Sequence, residues 1–315
     1  MLSAVLSFLV LGLFIAAVLS YLASLAWPAL RRGTAMARPA SRVLFYLVYA
    51  FLPPLSAALT ALLVMHPELS GVLVPEHCHG SNCDVHQPVF LIMHPAGAAL
   101  AATSVLVIIA LVFAAQRAIR RGRRLLRMLA QLSDETPVLD YALVPSSDAI
   151  AWCAGLLRPR VYLSTALEAL FSDRDLQIVL AHEHAHARRR DNLRHLLVSW
   201  ATMAWRRRQR RDFLEHYAEC TEAACDSVAA AHVGSARAVI DLIERLPELS
   251  AEFATDRRMA FDASDRSFRV NALSLPKAGA HPLTTAWLVL GVLWLGAPTL
   301  LTGPGHYLLE WLTTL

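Results

Sequence analysis

Of the chain's 315 residues, 56% are hydrophobic and 17% charged, a balance that excludes an ordinary soluble domain. The formal net charge is +4. It arises from arginines set beside apolar runs, which points to anionic inner-leaflet lipid as the partner and not to direct contact with nucleic acid.

Residues 2–27, 43–65, 89–115 and 283–303 are nearly free of charge. Each run meets or exceeds the roughly 20 residues that cross a bilayer. The first lacks a basic leader, is long for a signal peptide and is followed directly by arginines, so it reads as a retained membrane helix. The second carries Pro53 and Pro54, which predict a kink or break. Arg31, Arg32, Arg38 and Arg42 separate the first two runs, and Arg117, Arg120, Arg121, Arg123, Arg124 and Arg127 follow the third. Residues 66–88 hold no Lys or Arg. The positive-inside rule then predicts a multi-pass membrane protein, with both termini and the 66–88 loop outside. It places residues 28–42 and 116–282 in the cytoplasm.

The external loop is dense in metal-binding types: His66, His77, Cys78, His79, Cys83, Asp84 and His86, with His94 just beyond. Two readings compete. Thiolate and imidazole suit an external soft metal ion such as copper or zinc. A Cys78–Cys83 disulfide suits an oxidising face.

Residues 116–132 continue the third run as a basic helix emerging from the membrane. From about 136 to 280 the pattern predicts a compact domain of roughly 145 residues, enough for one core. Strands are expected at 138–144, 149–155 and 160–164. Ser172 followed by Asp175 forms a capping-box-like start to a long helix. Residues 195–205 read as an apolar helix with two tryptophans, ending in Arg206, Arg207, Arg208, Arg210 and Arg211; it lies either on the membrane surface or in the core, ending there in a solvated turn. Helices follow at 213–232 and 236–247, and residues 250–282 read as an irregular linker back to the membrane.

The chemistry sits in His182-Glu183-His184-Ala185-His186, an H-E-x-x-H motif. Histidines four apart share a helix face, so both can bind one zinc ion. Zinc lowers a bound water's pKa to about 7, and the glutamate beside the first histidine can take its proton. A catalytic zinc needs a third protein ligand. Glu222 supplies one, and Asp226, one turn on, can accept a hydrogen bond from a ligand histidine and fix its tautomer. His184 points off the ligand face. Cys225 lies between the two acids and can bind zinc as thiolate, although it reads, like Cys153 and Cys220, as a small buried cysteine.

These features resemble the BlaR/MecR-type membrane zinc metallopeptidases over most of the chain. The stretch from Ala154 through Leu163 is similar to that family's GLLRP strand. Arg189-Arg190-Asp191-Asn192 continues the motif as HExxHxxRRD, and Glu222-Ala223-Ala224-Cys225-Asp226 is similar to its ELACD segment. The resemblance implies His182, His186 and Glu222 as ligands of one Zn2+, Glu183 as general base, and Asp226 beyond them. It implies a mainly α fold: four transmembrane helices with a cytoplasmic α+β gluzincin-like metalloprotease domain inserted between helices 3 and 4. The corresponding division is 1–115, 116–282 and 283–315. The substrate implied is a cytoplasmic protein such as a winged-helix DNA-binding repressor, cut to transmit a signal. The sensor members of that family carry a large penicillin-binding domain after the last span, whereas only a short stretch follows Leu301 here, so the resemblance does not carry a β-lactam over as the signal. The 160–164 strand is expected to flank the cleft and pair with substrate. His195, His216, Tyr217 and Tyr162 are candidates for stabilising the oxyanion by their chemistry alone. An HtpX-type quality-control protease and a membrane receptor with a structural zinc are the competing functions.

Overall fold

A computed structural model describes the chain except for residues 1, 72, 75–76, 80–81, 85–94, 134–139, 254–262, 275–282 and 315. Four helices in it are long and apolar enough to cross a membrane. They are α1 (Leu2–Gly33), α2 (Pro39–Met65), α4 (Pro95–Leu132) and α11 (Thr284–Thr314), with the short α3 (Pro67–Ser70) after α2. Helix α4 runs unbroken from the apolar run into the basic stretch, as expected for 116–132. Of the kink or break expected at Pro53 and Pro54, the break does not occur: α2 continues through both prolines. Ser56 and Thr60, just beyond, are buried in that helix, where Thr60 Oγ1 bonds the Ser56 carbonyl at 2.8 Å.

In the 66–88 loop, β1 (His77–His79) pairs antiparallel with β2 (Asn82–Asp84), and the register sets Cys78 opposite Cys83. His86 and His94 lie outside the described residues.

Beyond α4 comes a three-stranded sheet of β3 (Tyr141–Val144), β4 (Ala151–Ala154) and β5 (Arg160–Ser164), in the order β3-β5-β4. Strand β5 pairs parallel with β3 and antiparallel with β4. The 160–164 strand is therefore central, with both edges taken, and cannot accept a substrate strand. That corrects the expectation. The edge on the side of the long helix is β4. Its turn into β5 depends on Gly155, whose φ is +112°; a Cβ there would meet the Arg158 carbonyl oxygen at 2.9 Å.

Helices α5 (Thr165–Leu170), α6 (Asp173–Arg189), α7 (Asp191–Ala201), α8 (Arg207–Val233), α9 (Ala236–Phe253) and α10 (Ala263–Ser274) complete the chain before α11. The Ser172 hydroxyl caps α6 by accepting from the Asp175 amide. Arg190, in the left-handed region at φ 54°, turns α6 directly into α7. The arginine run expected to close the 195–205 helix instead opens α8. Basic side chains in a first turn oppose the helix dipole, so packing is what holds this end. The 250–282 linker is also corrected: its first residues belong to α9, and α10 lies within it.

The core of the 136–280 region is not self-contained. Trp27 of α1 and Tyr46 and Tyr49 of α2 share one buried cluster with Val198, Trp205, Phe213, Tyr217 and Cys220. The Trp27 ring meets Phe213 edge-on at 4.7 Å. Asp212 accepts from Trp27 Nε1 and Arg31 Nη1, both at 2.6 Å. Helices α7 and α8 are thus fastened to the end of α1 and the start of α2. In the 195–205 segment Val198 and Trp205 are buried, as the core reading expects, whereas Leu197, Trp200 and Met203 are exposed.

Candidate active site

Helices α6 and α8 pack together and bring the two motifs face to face. His182 and His186, one turn apart on α6, direct their Nε2 atoms toward each other at 3.1 Å. The carboxylate of Glu222 on α8 closes the triangle. Its Oε2 lies 3.3 Å from His182 Nε2 and its Oε1 3.4 Å from His186 Nε2. Zinc bonds of about 2.0–2.1 Å in a tetrahedron separate neighbouring donors by about 3.3 Å. The donor set and its spacing therefore fit one zinc ion, and the three residues form a group whose ligand atoms could hold a metal.

The other nitrogen of each histidine is engaged. His182 Nδ1 bonds Asp226 Oδ1 at 2.9 Å, and His186 Nδ1 bonds Asp191 Oδ2 at 3.0 Å. Both carboxylates are almost fully buried. Such bonds fix the tautomer that leaves Nε2 free to bind metal. Asp226 was foreseen in the sequence, but Asp191 was not. Asp191 also receives Arg189 Nε at 3.3 Å and the Cys225 thiol at 3.6 Å. His186, Asp191 and Cys225 form a second grouping of donors, but Asp191 there is already bound to His186.

Arg269 was also missed. From α10 its Nε and Nη2 grip the two oxygens of Asp226 at 2.7 and 2.8 Å, and its Nη1 lies 3.8 Å from Glu222 Oε2. The sequence signal is faint: one arginine in a polar stretch that reads as linker.

Charge in the cluster follows from these contacts. Burial opposes protonation of His182, but the bonds to Asp226 and Glu222 outweigh it and push its pKa up to about 10. His186 is raised in the same way: burial opposes, and Asp191 prevails. Burial would raise Glu222, yet the two histidines hold it well below the usual carboxylate range. Asp226 and Asp191 are likewise lowered against burial, by His182 and Arg269 and by His186 and Arg189 respectively. Glu183 behaves oppositely. Burial pushes its pKa up, while His182 and His186 pull it down.

Burial pushes the Cys153 thiol on β4 up, with the Glu183 carboxylate adding to it, and the helix that carries Glu183 packs against that edge strand. Asn192 secures that strand by donating to the Cys153 and Gly155 carbonyls at 2.8 and 3.3 Å. His184 bonds the Leu180 carbonyl at 2.7 Å and stands outside the donor group. Of the oxyanion candidates, His195 is within electrostatic reach of Asp191, Glu222 and His186, and burial lowers its pKa. Its ring meets that of Tyr217 at 4.9 Å. His216 faces Trp27 and Tyr46 of the membrane helices, and Tyr162 stacks on Trp152.

Residues 114–269 match the model of Peptidase family M48, a segment that takes in α6, α8 and the whole cluster. No curated protein and no solved structure matches the chain. A segment similar to the M48 peptidases beside four helices apolar enough to cross a membrane supports a membrane metallopeptidase, and M48 peptidases are generally zinc-dependent.

Proposed function

We propose that this M48-type chain is an integral-membrane zinc endopeptidase with His182, His186 and Glu222 as ligands and Glu183 as general base. The observation that carries this is the convergence of three donor atoms at 3.1–3.4 Å, with each histidine's other nitrogen tied to its own buried carboxylate. A bound zinc supplies Lewis acidity and makes water nucleophilic near neutral pH. Glu183 takes the proton of the attacking water and returns it to the leaving amine; its burial-raised pKa suits it to hold that proton in between. Asp226 and Asp191 keep the imidazoles in register. The extended substrate pairs with the edge of β4, beside Glu183.

The catalytic region lies in the cytoplasm in this reading. Its support is the docking of α8 against the same ends of α1 and α2 that carry Arg31, Arg38 and Arg42. The output is regulated cleavage of a cytoplasmic protein such as a winged-helix repressor, which rests on the resemblance of the motifs to the BlaR/MecR type. HtpX-type quality control is a second reading. It is favoured by Leu197, Trp200 and Met203, exposed beside Arg206–Arg208, which would hold the cleft at the bilayer surface within reach of membrane proteins.

Mapping new protein N-termini in cells expressing wild type or Glu183→Ala tests both. One repressor cut only by wild type supports signalling, and many cut membrane proteins support quality control. Identical maps under every inducing condition, with zinc bound, would leave a zinc-binding receptor.

A further inference from the structure

We infer that Arg269 is a positioning residue for the zinc site, and that α10, which carries it, couples the membrane end of α2 to that site. The inference rests on the metal reading above.

One guanidinium addresses two members of the cluster. Asp226 Oδ2 accepts Arg269 Nε at 2.7 Å, and Oδ1 accepts both Arg269 Nη2 at 2.8 Å and His182 Nδ1 at 2.9 Å. The planar fork therefore fixes the plane of the carboxylate, and that plane aims Oδ1 at His182. The pairing is buried: Arg269 is 5% exposed and Asp226 1%. Without the fork the carboxylate can rotate about its Cβ–Cγ bond, and His182 loses a fixed acceptor. The same guanidinium approaches the third ligand, Glu222.

The neighbouring residue on α10 faces the membrane helices. The Phe268 ring lies 5.6 Å from the ring of His216, which itself packs on Trp27 of α1 and Tyr46 of α2. On the same ring rests the guanidinium of Arg42, 5.1 Å from its centroid. Arg42 sits at the start of α2 and is 4% exposed, and its Nε makes no hydrogen bond. A buried cation lacking full hydrogen bonding depends on its contact with the ring more than an exposed one would. Phe268 and Arg269 are thus adjacent residues of one short helix, the first clasped by a membrane helix and the second clasping the zinc site. A shift of α2 that moves Arg42 moves Phe268, and with it the fork on Asp226. Since a helix turn is stiff, the displacement is passed on and not absorbed.

The test uses the full-length protein in nanodiscs, with zinc affinity read by chelator competition and the pH profile of peptide cleavage read alongside. Arg269→Lys keeps the charge but loses the fork, and about 10-fold weaker zinc binding with a displaced pH profile is expected. Arg42→Met touches no member of the cluster, yet zinc binding several-fold weaker than wild type is expected. In the Arg269→Lys background the same change should add little. Melting of the zinc-free variants checks folding, and Phe268→Leu replaces Arg42→Met if that variant does not fold. Wild-type zinc affinity in Arg269→Lys overturns the positioning role. Unaltered affinity in Arg42→Met, or two effects that multiply in full, overturns the coupling. Wild-type protein that takes up no zinc overturns the metal reading itself.

Discussion

Asp191→Asn isolates what the carboxylate behind His186 contributes. The asparagine keeps the shape and one acceptor oxygen for His186 Nδ1, now 3.0 Å away, but removes the charge. Two consequences compete. The imidazole becomes a weaker donor to zinc once its N–H faces a neutral amide, and partners of this kind are worth about 10- to 100-fold in metal affinity. That is about 1.4–2.7 kcal/mol. Arg189 and Arg194, 3.3 and 3.8 Å from Asp191 Oδ1, also lose their counter-charge, which lowers stability whether or not zinc is present. The second effect is diluted because both arginines are partly exposed. Zinc binding should therefore suffer more than folding. Chelator competition measures the first and urea unfolding of the zinc-free protein the second. A folded Asp191→Asn protein with zinc affinity within twofold of wild type would refute the orienting role.

Glu183→Gln should bind zinc like wild type while peptide hydrolysis falls by about 10²- to 10⁴-fold, checked by zinc content and single-turnover cleavage; loss of both together would mark Glu183 as structural. The raised pKa of His182, about 10, means that the zinc-free fold gains stability from the protonated imidazole below about pH 6.5 and loses it as pH climbs toward 10. The lowered Glu222, Asp226 and Asp191 act in reverse, losing their contribution as pH falls through the acid range. Thermal melts with chelator should decline from pH 7 to 10, whereas zinc-loaded melts should hold, because binding releases the histidine protons and strengthens as pH rises; parallel declines would count against this. Gly155→Ala, strained at φ +112° and only 2.9 Å from the Arg158 carbonyl, should cost about 1–3 kcal/mol in denaturant unfolding, and an unchanged midpoint would mean the turn adapts freely.

The parts of the architecture written in strong local signals were legible. Ser172 and Asp175 mark the start of α6 because a cap is a contact between near neighbours, and the β5 boundaries follow from an apolar stretch bracketed by Pro159 and the next helix. The pairing of Glu222 with the H-E-x-x-H helix was readable because its chemistry demands a third ligand. Strand order was not readable, since nothing in Arg160–Ser164 announces that both edges are paired. Asp191 was noted only as part of the motif's continuation, and its role escaped because the left-handed turn at Arg190 swings it back under His186, a tertiary event one residue wide. Helix α10 escaped because Phe268, Val270 and Leu273 are too few to outline an apolar face, and its reasons for being helical lie in what Phe268 and Arg269 touch.

The shared aromatic cluster bears on how this peptidase can be handled and how it can diverge. Residues 114–269 delimit the match to the peptidase family, but Phe213, Tyr217, Trp205 and Cys220 are covered only when Trp27, Tyr46 and Tyr49 stand against them. Cut free, the segment would offer a sticky aromatic face and precipitate or bind detergent. The matched segment is therefore not a cassette that recombination could move onto another anchor. Substitutions in α1 or α2 far from any zinc ligand should appear in genetic screens as loss of proteolysis, restored by compensating changes in α8.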